Sequence, residues 1–454
     1  MKHEIMSISQ YLFKKLSPIR ILIFGFVILT LTGTFLLMLP EANVNGSSQS
    51  FVDALFTATS GVSTTGLIVV DTGSYYTFFG QLVILILVQI GGLGYMVFIV
   101  LAFLSQKKNM SIQGRKILRE SLSRPTTIDM VHFVKIVFAF TIIIEIVGAA
   151  GMYIYWSGFF PFSEAAYISL FHSISGFCTA GFGLFSDSIT SYGHSLYLNI
   201  VIDLVCIAGA VGFFVLFDVY EYVGKKIKKE KQAQLSLHSK IVLVITFILI
   251  IVGTVIVFGF EGSRFSSSFG NKTLDATFQI ISASTTTGFN TIDIGSMTNS
   301  SLLIIIVLMF IGASPGSTGG GIKTTSFGIL IKNIFSILGG RKDTAFFKRK
   351  ISSDLISNAF ILISISLMWI TIVVIILCKT ENASFIRILF ETVSAFGTVG
   401  LSTGITNALS MTGKILITLT MFLGRVGPLA LGFSLFKGEK NNGYTYPEEN
   451  VLIG

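Results

Sequence analysis

The chain has 454 residues, 52% of them hydrophobic and only 12% charged, with a mean hydropathy of +0.79. Soluble domains carry about 25% charged residues, so this composition excludes a soluble enzyme, a disordered chain and a secreted disulfide scaffold. It points to an all-α polytopic membrane protein. The net charge of +9 sits between apolar spans, a pattern of membrane topology and not of a nucleic-acid surface.

In chain order, the first apolar run is Ile19–Leu39. At about 1.5 Å per residue it measures about 31 Å, enough to span a bilayer and too long for a signal-peptide core. Seven further long runs follow: Phe78–Leu104, Met130–Tyr155, Leu196–Val223, Lys240–Phe260, Leu302–Leu338, Ile351–Cys378 and Gly413–Phe436. Every second connection is basic: Lys107 to Arg124, Lys225 to Lys231, Arg341 to Lys350, and both chain ends. The other connections carry only Arg264, Lys272, Lys379, Arg387 and Lys414. The positive-inside rule then places both termini in the cytoplasm. Each outer connection holds a short apolar segment: Phe51–Val62, Ala165–Phe177, Leu274–Ser284 and Phe385–Phe396. These are too short to cross and suit re-entrant helices.

The four short segments share one motif. It reads Phe56-x-x-x-Ser60-Gly61-x-x-Thr64-x-Gly66, then Phe171-x-x-x-Ser175-Gly176-x-x-Thr179-x-Gly181. The third copy is Phe278-x-x-x-Ser282-Ala283-x-x-Thr286-x-Gly288, and the fourth Phe390-x-x-x-Ser394-Ala395-x-x-Thr398-x-Gly400. Consecutive motif glycines lie 115, 107 and 112 residues apart. Four gap-free copies in the same topological slot define tandem units of helix, re-entrant helix plus loop, and helix. The units are 1–107, 108–226, 227–340 and 341–454, all in one orientation, so they are expected to surround a central pore along the membrane normal.

The loops lack acidic side chains. Non-helical backbone at membrane depth is tolerated where it is buried or lines a wet cavity, and its carbonyls can replace the hydration shell of a monovalent cation. Glycine permits the positive φ that turns such carbonyls. The preceding short helix points its partly negative end at the same place. The expected ion-binding residues are Val62, Ser63, Thr64, Thr65 and Gly66; Phe177, Cys178, Thr179, Ala180 and Gly181; Ser284, Thr285, Thr286, Thr287 and Gly288; and Phe396, Gly397, Thr398, Val399 and Gly400. In the second loop Cys178-Thr179-Ala180 departs from its counterparts, so the four contributions need not be equivalent.

Thr398-Val399-Gly400-Leu401 is close to the potassium-channel filter sequence T-V-G-Y. With the four motifs, nearly the whole chain resembles the Ktr, Trk and HKT superfamily of K⁺ transporters, and most closely the bacterial Ktr membrane subunit. The resemblance implies four M1-P-M2 repeats. It also implies that glycine at all four filter positions favours K⁺, and that K⁺ is the transported ion. It further implies a homodimer on a cytosolic ring of RCK-type nucleotide-binding subunits. Na⁺ as an activator is a further expectation, and the chain itself is expected to hold no cofactor.

Ser301–Leu338 would be about 57 Å long as one helix. Its middle, Gly312-Ala313-Ser314-Pro315-Gly316-Ser317-Thr318-Gly319-Gly320-Gly321, cannot continue a helix comfortably. It reads as an intramembrane loop below the filter, obstructing the pore, and the resemblance implies a gating loop there. A phosphate-binding loop fits poorly, because Ile322 separates the last glycine from Lys323 and no strand–helix context surrounds it. Arg425 lies mid-span, where charge is functional by default. It is read as a pore-side charge able to contact the loop, in preference to a snorkelling residue. Lys323 either steers the gate or caps the loop. Glu145 and Asp203 read as structural hydrogen-bonding groups, Asp218 as an interfacial residue, and His172 and Glu391, one residue after the motif phenylalanine, as structural support. The five histidines form no catalytic set, which argues against a membrane enzyme. A Na⁺-coupled symporter of another solute is the alternative. It is disfavoured because only one of the eight spans reads as broken.

Overall fold

The computed structural model describes residues 18–94, 130–230, 233–261 and 269–427. Within them one order recurs four times: an outer helix, a shorter helix that ends at the repeated motif, and an inner helix. The first set is α1 (Pro18–Leu37), α2 (Phe51–Ser63) and α3 (Phe78–Leu93). The second is α4 (Met130–Trp156), α5 (Phe162–Phe177) and α6 (Leu196–Val211), continued by α7 (Phe213–Ile227). The third is α8 (Leu237–Glu261), α9 (Phe269–Ser284) and α10 (Asn299–Phe310), followed after a non-helical segment by α11 (Thr324–Leu338). The fourth is α12 (Ser353–Thr380), α13 (Phe385–Gly397) and α14 (Met411–Val426). The distal part of the Phe78–Leu104 run, the basic connection from Lys107 to Arg124, the end of Gly413–Phe436 and both termini lie outside the described residues.

Local chemistry sets the helix ends. The inner helices α3, α6, α10 and α14 start on the hydroxyls of Thr77, Ser195, Thr298 and Ser410, which accept from the amides of Gly80, Leu198, Ser301 and Gly413. Such caps contribute about 1 kcal/mol each. Three inner helices stop at a glycine of positive φ: Gly94 (+74°), Gly212 (+96°) and Gly427 (+91°). One turn earlier stand Gly91, Gly209 and Gly424. A Cβ there would fall about 2 Å from the carbonyl oxygen of Val62, Phe177 or Phe396 at the end of the neighbouring short helix. Glycine is what allows the inner helix to lie against that helix end.

The Leu196–Val223 run is not one continuous span: α6 and α7 meet at 100°. The freed backbone groups find partners in the glycine-rich segment of the third set. Phe213 N donates to Gly316 O (2.9 Å) and Ser314 N to Ala210 O (3.0 Å). The bend therefore depends on a contact with a segment some hundred residues away. The Leu302–Leu338 run is interrupted as expected, with Ile311–Gly312 (β1) pairing in parallel with Ile322–Lys323 (β2). A small hairpin, Ala345–Phe346 (β3) with Arg349–Lys350 (β4), occupies the basic connection before α12.

Two large apolar cores result, with a small third cluster of Val211, Val215 and Val242 joining α6 and α7 to α8. One large core is built mainly from α1 to α7 and the other mainly from α8 to α10 and α12 to α14. Phe56 and Leu67 cross into the second, and Phe278 and Phe289 into the first. Each half is thus sewn to the other through residues next to the repeated motif. The long outer helices α4, α8 and α12 are apolar and long enough to cross a membrane. They leave Val147, Phe247 and Ile375 about two-thirds exposed, as a lipid-facing surface would.

Candidate functional site

Each motif builds the same turn. The residue before the glycine donates its amide back to the motif serine carbonyl: Thr65 to Ser60 (2.8 Å), Ala180 to Ser175 (2.8 Å), Thr287 to Ser282 (2.9 Å) and Val399 to Ser394 (2.9 Å). Thr64, Thr179, Thr286 and Thr398 take left-handed backbone angles, φ +50° to +58°. Gly66, Gly181, Gly288 and Gly400 follow at +86°, +64°, +90° and +89°. The serine hydroxyl then accepts from the glycine amide: Ser60 from Gly66 (3.0 Å), Ser282 from Gly288 (3.1 Å) and Ser394 from Gly400 (3.1 Å). The motif spacing is the geometry of this cap. The second loop departs from it. Ser175 Oγ makes no hydrogen bond among the described residues, and Gly181 has the smallest φ of the four. Hydroxyl pairs stiffen two of the loops, Ser63 with Thr65 (2.6 Å) and Thr285 with Thr287 (2.8 Å).

The four loops close on one another. A Cβ on Gly66 would lie 2.2 Å from Ala180 O, one on Gly181 2.3 Å from Thr287 O, one on Gly288 2.1 Å from Val399 O, and one on Gly400 2.1 Å from Thr65 O. Each glycine therefore packs bare backbone against the carbonyl preceding the next glycine. The circuit runs once around in chain order and returns to its start. A salt bridge between Lys414 and Asp53 (2.6 Å) joins the fourth set to the first at the same seam. The ring brings together Val62 to Gly66, Phe177 to Gly181, Ser284 to Gly288 and Phe396 to Gly400, all buried or nearly so.

The glycine-rich segment lies directly against this ring. Thr318 O accepts from Thr64 Oγ1 (3.0 Å), and Thr318 Oγ1 bonds with Thr179 Oγ1 (3.1 Å) and Phe177 O (3.1 Å). A Cβ on Gly319 would meet Thr286 Oγ1 at 2.2 Å, and one on Gly320 would meet Thr398 Oγ1 at 2.4 Å. Three consecutive residues thus face all four motif threonines. Gly312 and Gly321 pack together at the base of the segment, Pro315 and Gly316 rest on Gly212, and Ser317 Oγ bonds back to Ser314 O (2.6 Å).

Two cations hold the segment. Lys323 Nζ donates to Gly319 O (2.7 Å) and Gly320 O (3.3 Å). The Arg425 guanidinium donates to Thr318 O and to Gly91 O, and to Gly92 O at 3.2 Å. Its fork therefore ties the segment to the last turn of α3, whose terminal carbonyls attract a cation. Among the described residues neither cation forms an ion pair with a carboxylate. Behind the second loop, Glu145 is buried beside Gln89, which accepts from Cys178 Sγ (3.6 Å); the Glu145 backbone carbonyl accepts from Ser173 Oγ (2.7 Å), and Glu145 Oε1 has no hydrogen-bond partner among the described residues. Away from the ring, Asp218 accepts from Ser236 N (2.9 Å). The site also includes residues that sequence reasoning passed over: Gly91, Gly92, Gly209 and Gly212. Their signal was available as the spaced pairs Gly91/Gly94, Gly209/Gly212 and Gly424/Gly427 at the ends of three inner helices.

Comparison with known proteins shows the family. A family profile described as "TrkH: Cation transport protein" matches residues 9–443. The chain is 39% identical to the Ktr system potassium uptake protein B of Bacillus subtilis over 97% of each chain. It is 35% identical to the potassium/sodium uptake protein NtpJ of Enterococcus hirae, over 97% of this chain and 98% of that one. It is 36% identical to the Ktr system potassium uptake protein B of Vibrio alginolyticus, over 96% of this chain and 94% of that one. The crystal structure of the potassium transporter TrkH from Vibrio parahaemolyticus superposes with a TM-score of 0.70 at 19% identity, covering 91% of this chain and 85% of that one. The chain is a multi-pass membrane protein that belongs to the TrkH family of cation transport proteins.

Proposed function

We propose that this protein is the membrane subunit of a K⁺ uptake system, and that its four glycine loops are the selectivity filter. The observation that carries the reading is the closed circuit of four loops, each glycine seated on its neighbour's carbonyl. Four backbone strands at one level can surround a cation with carbonyls in place of water. The short helices α2, α5, α9 and α13 end at the ring, so their partly negative ends favour a cation there. Neutral oxygens suit a monovalent ion, since Ca²⁺ and Mg²⁺ usually recruit carboxylates.

The segment 312–321 acts as the gate in this reading. It lies against the four motif threonines, and Lys323 and Arg425 place positive charge beside it, which opposes a dwelling cation. Movement of the segment away from the ring opens the path. The subunit works as a homodimer with a cytosolic RCK-type nucleotide-binding ring, both termini in the cytoplasm, and Na⁺ as an activator. The sequence relatives named for K⁺ uptake support the ion assignment.

The test is growth of a K⁺-uptake-deficient bacterial strain at low K⁺, with and without a co-expressed RCK-type subunit. Rescue lost on replacing the ring glycines with serine supports filter and function together. Rescue only with the second subunit supports the regulatory partner. No rescue, with the protein verified in the membrane, overturns the proposal and turns the search to solute symport.

A further inference from the structure

The motif phenylalanine is followed in each unit by a different buried polar residue: Thr57, His172, Gln279 and Glu391. These four unlike side chains share one task. Each reaches the chain that leaves the ring on the far side of its own glycine. Tyr76 OH donates to Thr57 Oγ1 (3.3 Å), Leu184 N to His172 Nε2 (3.4 Å), and Gln279 Nε2 to Thr291 Oγ1 (3.1 Å).

The fourth unit does this most strongly. Glu391 Oε1 accepts from Ser402 Oγ (2.6 Å), Thr403 N (2.8 Å) and Thr403 Oγ1 (3.3 Å), and Oε2 from Thr406 Oγ1 (2.8 Å). Ser402 Oγ in turn accepts from Gly404 N (2.9 Å). Among the described residues this carboxylate has no cationic partner. Buried charge is tolerated only where it is paired or richly hydrogen-bonded, so the donors of residues 402–406 are what keep Glu391 in place. Conversely, Glu391 is what gathers that lip, which starts two residues after Gly400.

We propose that Glu391 is a positioning residue for ion selection. By holding residues 402–406 it fixes the outer side of the fourth loop, and through the Gly400–Thr65 contact it fixes the seam where the ring closes. K⁺ over Na⁺ discrimination then depends on Glu391 although it lies behind the loop. The inference rests on the K⁺-filter reading above.

The experiment is ion flux in liposomes reconstituted with the purified full-length protein. The K⁺/Na⁺ flux ratio and the half-saturating K⁺ concentration are both measured. Glu391→Ala is expected to lower the ratio about tenfold, the equivalent of about 1.4 kcal/mol, and to raise the half-saturating concentration. Glu391→Gln, which still presents an acceptor to Ser402 and Thr403, is expected to keep most of both. A residue that only supports folding would change the yield of protein and leave both quantities unmoved. A Glu391→Ala protein that discriminates like the parent overturns the proposal. If Glu391→Ala does not assemble, the Ser402→Ala, Thr406→Val double variant removes donors from the other side. An unchanged ratio there overturns the proposal equally. A parent that shows no preference for K⁺ overturns the underlying functional reading, which is a separate and recognisable result.

Discussion

Replacing Gly288 with alanine tests the ring most directly. Gly288 has φ +90°, and its added Cβ would lie 2.1 Å from Val399 O and 3.1 Å from Gly400 Cα. Two costs follow. A non-glycine residue at such a φ costs about 1–3 kcal/mol in backbone strain. The overlap with Val399 O must also be relieved by moving one backbone segment away from another, which opens the circuit. Gly340, at the end of α11 and away from the ring, separates the two costs, because it has φ +68° and nothing within 4 Å of its added Cβ. Gly340→Ala carries the strain without the collision. The assay is the K⁺/Na⁺ flux ratio in liposomes, with thermal stability measured in parallel. Both variants are expected to lose stability, and only Gly288→Ala to lose discrimination. About 1.4 kcal/mol of lost preference is a tenfold fall in the ratio, and Gly288→Ser is expected to fall at least as far. A Gly288→Ala protein with the parent ratio, or a Gly340→Ala protein that loses it equally, would refute the argument that contact between neighbouring loops sets selectivity.

Shortening the segment between Gly316 and Gly321 is expected to raise flux, since it removes the backbone that faces Thr64, Thr179, Thr286 and Thr398; a folded deletion variant that conducts no faster than the parent contradicts the gate assignment. Arg425→Lys is expected to behave more like Arg425→Ala than like the parent in flux, because one ammonium cannot reproduce a fork that bonds both Thr318 and the Gly91–Gly92 turn. Equal flux in parent and lysine variant would show that charge alone suffices. At the end of α12, burial acts to raise the Glu381 carboxyl pKa, but hydrogen bonds from Ser410 and Thr380 outweigh it and the net shift is downward. A depressed carboxyl stabilises the fold above its ordinary range and loses that contribution as pH falls through the folded value. Glu381→Gln is therefore expected to lower the melting temperature at neutral pH, with the gap to the parent closing in acid; a gap that persists below the carboxylate range argues against this linkage.

The motif spacing was legible because it is a local device. Ser60, Thr64 and Gly66 act within one turn, so their separation survives in the sequence, and the fourfold recurrence of that turn identified the ring residues before any contact was visible. The interruption after Phe310 was legible for the same reason, since five glycines and a proline within ten residues leave no helical alternative. The break at Gly212 was not. The Gly209/Gly212 pair lies in an apolar run and is compatible with a straight helix, and the chain bends at Gly212 because Ser314 and Gly316 replace the missing helical partners. Glu391 was recognisable as one residue of a repeated position, but its four donors lie 11 to 15 residues further along, in a loop with no periodicity to place it.

The sequence by itself determined that the protein lives in a membrane, that it is built from four similarly oriented units, and that a glycine loop recurs in each. These follow from composition and from patterns repeated along the chain. Only the tertiary structure decided that the loops close in chain order, that residues 318–320 cover all four motif threonines, and that Arg425 reaches Thr318 and Gly91 at once. Those contacts join residues tens to hundreds of positions apart. Helix packing brings them together, and no local spacing in the chain records it.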